Sequence, residues 1–217
     1  MAELLPILVI VGPTAAGKTV LALSRASALG GEIISADSVQ VYRGLDIGSA
    51  KPTPAERAAV VHHLVDVCDP AEQINAGAWV AAAEPIIADL HARGRVPIVA
   101  GGTGLYVRAL IDGLAAIPDI PAEVQRQVRD RLANEGSQAL HRELAGVDPE
   151  AAARLAPNDS QRIARALEVV LATGMSLSSF HAAHRAQRAP RYAATMIGVF
   201  PDRDVLCLLY TSDAADE

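Results

Sequence analysis

The sequence predicts an α/β fold, a parallel sheet flanked by helices, with a helical insertion. Three observations carry this reading. Mostly apolar runs that do not alternate occur at 6–11 ("PILVIV"), 32–37 ("EIISAD"), 62–67 ("HHLVDV") and 96–102 ("VPIVAGG"), as strands buried on both faces require. Helical segments at 18–29 and 76–93 separate them through short loops, the pattern of a parallel sheet with crossover helices. Finally, 51% of residues are hydrophobic but only 3% are aromatic, a composition suited to aliphatic helices packed on a buried sheet.

Taken in order, 6–11 is the first strand and leads into a glycine-bearing loop; a helix follows from Lys18 to Leu29. The strands at 32–37, 62–67 and 96–102 come next, with the helix at 76–93 spanning Pro85 at some cost. From Pro121 the pattern changes: 121–135, 137–145, 149–156, 159–173 and 176–187 all look helical. Strand character returns at 193–200 ("AATMIGVF"). The expected organisation is therefore an α/β core over 1–114, a helical insertion over 115–190, a return strand over 191–206, and a tail over 207–217 that follows neither pattern.

At 217 residues the chain can bury one ordinary core. No apolar run reaches the ~18 residues of a membrane span, and the apolar start runs straight into the glycine loop as a strand does, not as a signal peptide. Cys68 and Cys207 form neither a disulfide framework nor a zinc spacing, so a cytoplasmic protein with no membrane partner is expected. The net charge of −6 argues against nucleic acid, but its distribution does not. Residues 1–120 carry 8 basic and 12 acidic groups, whereas 121–188 carry 9 and 8, and all nine of those cations are arginines. Arginine presents a planar fork to phosphate and can stack on bases; a solvated helical surface has the same composition.

The chemistry starts at "GPTAAGKT" (12–19), which matches G-x-x-x-x-G-K-[ST] between a buried strand and a helix. Gly12, Pro13, Thr14, Ala15, Ala16 and Gly17 would wrap a diphosphate or triphosphate with backbone N–H groups at a helix N-terminus. Lys18 would neutralise phosphate oxygens, and the Thr19 hydroxyl can ligate Mg²⁺. The loop makes the expected fold P-loop NTPase-like. Asp37, at the carboxyl edge of the second strand, can take a proton from a nucleophile or hold a metal-bound water; it can equally be a turn residue. Gln40 carries donors and an acceptor fit to read an adenine edge, or is an exposed loop amide. Thr103, after the paired glycines of "AGGTGLY" (100–106), can cap a helix or donate to a ligand oxygen. Arg162 and Arg165 fall on one helix face, as a phosphate-backbone pair or as surface salt bridges. His62 and His63 have no metal-ligand partners and read as structural.

"GPTAAGKT", "ISADSVQVYRGLDIGSAKP", "HHLVDV", "GGTGLY" and "NDSQRIARALEV" occur in one order over residues 5–205, and together they resemble the tRNA dimethylallyltransferase family. The resemblance implies transfer of a dimethylallyl group from dimethylallyl diphosphate to the exocyclic amine of an adenosine beside the tRNA anticodon, with release of diphosphate. It implies Asp37 as general base, Thr103 and Lys18 at the diphosphate, Mg²⁺ at Thr19, and a monomer binding the anticodon stem-loop. Asp37, Ser38, Val39 and Gln40, with Gln161, Arg162, Ile163, Ala164 and Arg165, would contact tRNA. Where the family tends to place a tRNA-contacting arginine, this chain has Gln125, with Arg126 next to it. A small-molecule P-loop kinase and an adenine-nucleotide isopentenyltransferase are the alternatives. Family members continue past Val205 through further helices, whereas "CLLYTSDAADE" (207–217) resembles a translated sequencing adapter. A truncated frame with an unpacked tail and low activity is therefore expected.

Overall fold

The apolar runs form the centre of a five-stranded, all-parallel sheet in the computed structural model, which describes residues 4–202 and residue 204. The strands are β1 (Pro6–Val11), β2 (Glu32–Ser35), β3 (His62–His63), β4 (Pro97–Gly101) and β5 (Ala193–Gly198), in the order β3-β2-β4-β1-β5. The expectations for residues 207–217 lie outside the described residues. Helices α1 (Lys18–Leu29), α2 (Pro54–Ala59), α3 (Ala76–Ala92) and α4 (Gly104–Asp112) connect the strands. Side-chain alternation gives β2 two faces: Ile34 packs with the cluster of α3 and α4, and Ile33 with that of α1.

Chain contacts divide the molecule into two compact units, residues 1–113 with 189–217, and residues 114–188. The second unit is all helical: α5 (Ala122–Glu135), α6 (Ser137–Val147), α7 (Pro149–Arg154), α8 (Ser160–Thr173) and α9 (Leu177–Gln187). Its core gathers Val128, Leu140, Leu144, Ile163 and Leu167. Buried Asp148 joins three of its segments: Oδ1 accepts from Ala151 N (3.1 Å) to cap α7, and Oδ2 accepts from Ser178 N (3.0 Å) on α9.

Three strand expectations are corrected. β2 stops at Ser35 because the chain turns at Asp37, and β5 stops at Gly198. The strand expected over 62–67 is only His62–His63, since Leu64 (φ 60°) and Asp66 (φ 57°) adopt left-handed backbone. Their partners explain the departure. Asp66 N donates to Gln40 O (3.0 Å) and Val67 N to Val41 O (2.8 Å), so this segment pairs with the loop after β2 and not with a strand. Helix α2 was not expected, yet Thr53 and Glu56 bracket its start as a capping box that "TPAE" spells out.

At the amino end of β2, Glu32 is nearly buried (side chain 5% exposed) and is held by Arg93 (2.7 Å), His63 Nε2 (2.8 Å) and Arg95. The Arg93 hydrogen bonds lower its pKa to about 2, against the upward push of burial and with help from His63. The unfolded chain protonates this carboxyl near 4.5, so its contribution is present above that pH and is lost as the pH falls toward about 2. Glu32→Gln should therefore flatten the acid limb of stability over that window in urea unfolding measured by pH; an unchanged limb would show that Glu32 does not carry it.

Candidate functional site

The carboxyl ends of β1, β2 and β4 converge on one point. Ala36 N donates to Ala100 O (2.8 Å), and Thr103 N donates to Ala36 O (3.0 Å). A Cβ on Gly101 would lie 2.1 Å from Ala36 O, so this crossing admits only glycine. A Cβ on the neighbouring Gly102 would lie 3.5 Å from Gly12 O and 4.0 Å from Asp37 Oδ2, so the phosphate-type loop and the carboxylate border the same gap.

Within the loop, Ala15 (φ 63°) and Gly17 (φ 83°) take left-handed backbone to turn the chain into α1, whose first turn has no acidic residue. Gly12 answers a different demand: a Cβ there would meet Val199 O at 2.2 Å. Lys18 Nζ donates to Pro13 O (2.5 Å) across the loop. Burial lowers its pKa, and Asp37 partly opposes that.

Asp37 Oδ1 accepts from Val39 N (2.9 Å) and Gln40 N (3.3 Å), which folds residues 37–40 into a turn and fixes the carboxylate. Thr103 starts α4 but does not cap it with its side chain. Its Oγ1 accepts from Ser38 N (2.9 Å) and ties this turn to the end of β4. Ser38 and Val39 are exposed on the turn. Gln40 departs from the adenine-reading expectation, because its amide is engaged within the protein. Its Oε1 accepts from Ser35 Oγ (2.9 Å), and its Nε2 donates to Ala50 O (2.6 Å) and Ser49 O (3.3 Å).

Most of the polarity between residues 40 and 51 holds that loop in place. Lys51 is buried (side chain 5% exposed) and donates to Tyr42 O (2.8 Å), Asp46 Oδ1 (2.9 Å) and Asp66 Oδ1 (2.6 Å). Arg57 of α2 takes the other oxygen of Asp66 (2.8 Å). Burial alone would lower the pKa of Lys51, but the bonds to Asp66 and Asp46 raise it. Trp79 fastens α3 to the end of β2 by donating to Ser35 O (2.9 Å) while stacked on Tyr106.

A cavity of about 670 Å³ opens over this framework. Its lining includes residues 14–19, Ile33, Asp37, residues 49–53 and His62. His62, which reads as structural in the sequence, is thus part of the cavity wall. Among the described residues no cluster of three His, Cys, Asp or Glu suits a cation. Thr19 lines the cavity beside Lys18 and so presents an oxygen at the loop.

The residues expected to bind nucleic acid in the second unit divide by exposure. Gln161, Arg162 and Arg165 are exposed on α8, with Arg162 paired to Asp159 (2.6 Å) and Arg165 to Glu168 (3.4 Å). Ile163 is fully buried in the helical core, so its side chain cannot present itself to a ligand, whereas Ala164 is only partly buried against that core. Gln125 Nε2 donates to Ile120 O (2.9 Å), while Arg126 is exposed.

The Lys51 clamp yields a direct expectation. Lys51→Met leaves Asp46 without its cation and Asp66 with Arg57 alone, and should cost about 3 kcal/mol, the low side for breaking a buried pair, because both carboxylates keep contact with water. Urea unfolding measures it; a loss below ~1 kcal/mol, the range of surface pairs, would remove the clamp from the account.

Comparison with known proteins gives a consistent picture. The IPP transferase family matches residues 40–208, and the isopentenyl transferase family matches residues 5–66. A tRNA dimethylallyltransferase of Methylococcus capsulatus is 53% identical over 189 residues, covering 87% of this chain and 61% of the relative. One from Halorhodospira halophila is 57% identical over 173 residues, covering 80% and 56%. The chain thus spans less than two thirds of the length of these relatives. Among solved structures, the full-length tRNA isopentenylpyrophosphate transferase of Bacillus halodurans aligns with a TM-score of 0.62 at 39% identity, over 99% of this chain and 67% of that one. A eukaryotic dimethylallyltransferase acting on tRNA aligns with a TM-score of 0.80 at 26% identity, over 98% and 52%. With family matches that run through both of its units, this chain belongs to the IPP transferase family.

Proposed function

We propose that the chain carries the catalytic core of a transferase that moves a dimethylallyl group from dimethylallyl diphosphate to the exocyclic amine of a tRNA adenosine. The observation that carries the reading is the convergence of Gly12, Asp37 and Gly102: a phosphate-type loop and a fixed carboxylate border one gap. A kinase transfers the phosphoryl group that such a loop holds. Here the loop would hold the leaving group, and the bond that breaks is C1–O.

The steps follow from the groups present. The amine lone pair attacks C1, the C1–O electron pair leaves with diphosphate, and an amine proton passes to Asp37. Two backbone N–H groups hold Asp37 Oδ1, so Oδ2 is the oxygen placed to take that proton. Thr103 Oγ1 already accepts from Ser38 N, which leaves its own hydrogen for an oxygen of the diphosphate. Lys18 and the loop N–H groups stabilise the charge that grows on the leaving group. Mg²⁺ at Thr19, completed by phosphate oxygens and water, would supply further positive charge there. In the second unit, Gln161, Arg162, Arg165 and Arg126 offer exposed groups to RNA, which supports tRNA as acceptor and hence a cytoplasmic location. Among the described residues no single helix is long and apolar enough to cross a membrane.

The test offers labelled dimethylallyl diphosphate with tRNA, AMP or ATP. The enzymes would be this chain and a chimera continuing after Val205 into the remainder of the Methylococcus capsulatus relative. Label should pass to tRNA and not to the nucleotides. Asp37→Asn keeps the shape and removes the basic oxygen, so turnover should fall ~10²–10⁴-fold with diphosphate binding unchanged. Full turnover in that variant would reduce Asp37 to a turn residue; label on AMP or ATP would reassign the acceptor.

A further inference from the structure

We propose that His62 contacts the acceptor: its Nε2 accepts a hydrogen bond from an N–H or O–H of the nucleoside held in the cavity, an assignment that rests on the function proposed above. His62 pairs in register with Ile33, and Ile33, Ser35, Asp37 and His62 all line the cavity that holds the phosphate-type loop. The ring has a defined tautomer. Nδ1 lies 2.8 Å from Val60 O, and a carbonyl oxygen only accepts, so Nδ1 bears the proton. In the neutral ring Nε2 is then an acceptor. Among the described residues it has no protein partner, and it is not buried. The adjacent His63 differs, since its Nε2 is committed to Glu32 at 2.8 Å.

The charge around His62 supports the neutral form. Burial lowers its proton affinity; Val60 O and Glu56 pull the other way, while Arg57 and His63 add to the lowering. A neutral acceptor has nothing to bind on dimethylallyl diphosphate, whose alkene is apolar and whose phosphate oxygens are themselves acceptors at neutral pH. The donors that enter such a cavity belong to the nucleoside, on its exocyclic amine and its ribose hydroxyls. This gives His62 a part in orienting the base, separate from proton removal at Asp37.

The experiment follows the nitrogen-15 resonances of labelled histidine in the full chain. Pyrophosphate with Mg²⁺ is added in one series, and an RNA hairpin with an unpaired loop adenosine in the other. The hairpin should shift His62 Nε2 as an accepted hydrogen bond does, and pyrophosphate should leave it unmoved. His62→Phe should weaken hairpin binding roughly tenfold, the scale of one hydrogen bond. His62→Gln keeps an acceptor oxygen and should retain most of the affinity; pyrophosphate should bind all three alike. Protonation removes the acceptor, so hairpin affinity in the parent should fall as the pH drops through the titration of His62, and His62→Gln should lack that fall. Equal hairpin affinity in the parent and His62→Phe overturns the inference alone. A pyrophosphate-induced rise in the His62 pKa also overturns it and makes the ring a phosphate ligand. A parent that binds pyrophosphate but no hairpin overturns the inference together with the RNA acceptor.

Discussion

Where β2 and β4 end, their backbones cross with no room for a side chain. Ala36 O sits where a Cβ of Gly101 would be, and the hydrogen bonds Ala36 N to Ala100 O and Thr103 N to Ala36 O lock the crossing. Asp37, Thr103 and the gap beside the loop are placed from it. One residue after Ala36 stands Asp37, one residue after Gly101 stands Gly102, and the gap between them reaches the phosphate-type loop at Gly12. The Ser38–Thr103 bond then fastens the two loops that leave the crossing. A parallel sheet presents its loops at the carboxyl edge, so a close approach of two strand ends builds a site from three separate segments.

The polar stretch after β2 divides into two kinds of residue. Gln40 and Lys51 turn their polar atoms inward, onto Ser35, Ala50, Tyr42 and Asp66, and Lys51 also holds the exposed Asp46, so that they act as scaffold. Asp37 keeps one oxygen in the turn and directs the other toward the gap; Ser38 and Val39 stay exposed. The scaffold explains why a segment rich in charge can wall a cavity: a buried cation with three oxygen partners holds it without an apolar core of its own.

Much of this was legible in the residues. Continuous apolar runs mark β1 and β4 because a strand covered on both faces needs no alternation, and "GPTAAGKT" marks the turn from β1 into α1. Less legible were features that depend on partners distant in sequence. "HHLVDV" has strand composition, yet Asp66 is drawn to Lys51 and Arg57, and the chain bends at Leu64. Thr103 occupies a capping position, but Ser38 N, 65 residues away, takes its oxygen. Gln40 looks like a reading head in sequence and is a brace in the fold. Ile163 lies inside the "QRIAR" stretch, but its helical phase turns it into the core between two exposed arginines. Local pattern predicts elements well; the partner of a polar side chain is a tertiary fact.

The most direct measurement of the central claim compares pyrophosphate affinity, with Mg²⁺ present, in Gly101→Ala and Gly104→Ala. The first adds a methyl group 2.1 Å from Ala36 O; the second adds the same group at the start of α4, where nothing lies within 4 Å. Under conditions where circular dichroism shows both variants folded, Gly104→Ala should bind as the parent does, and Gly101→Ala should bind far more weakly because the strand ends can no longer meet. Equal affinity in the two variants would contradict the claim that this crossing assembles the site.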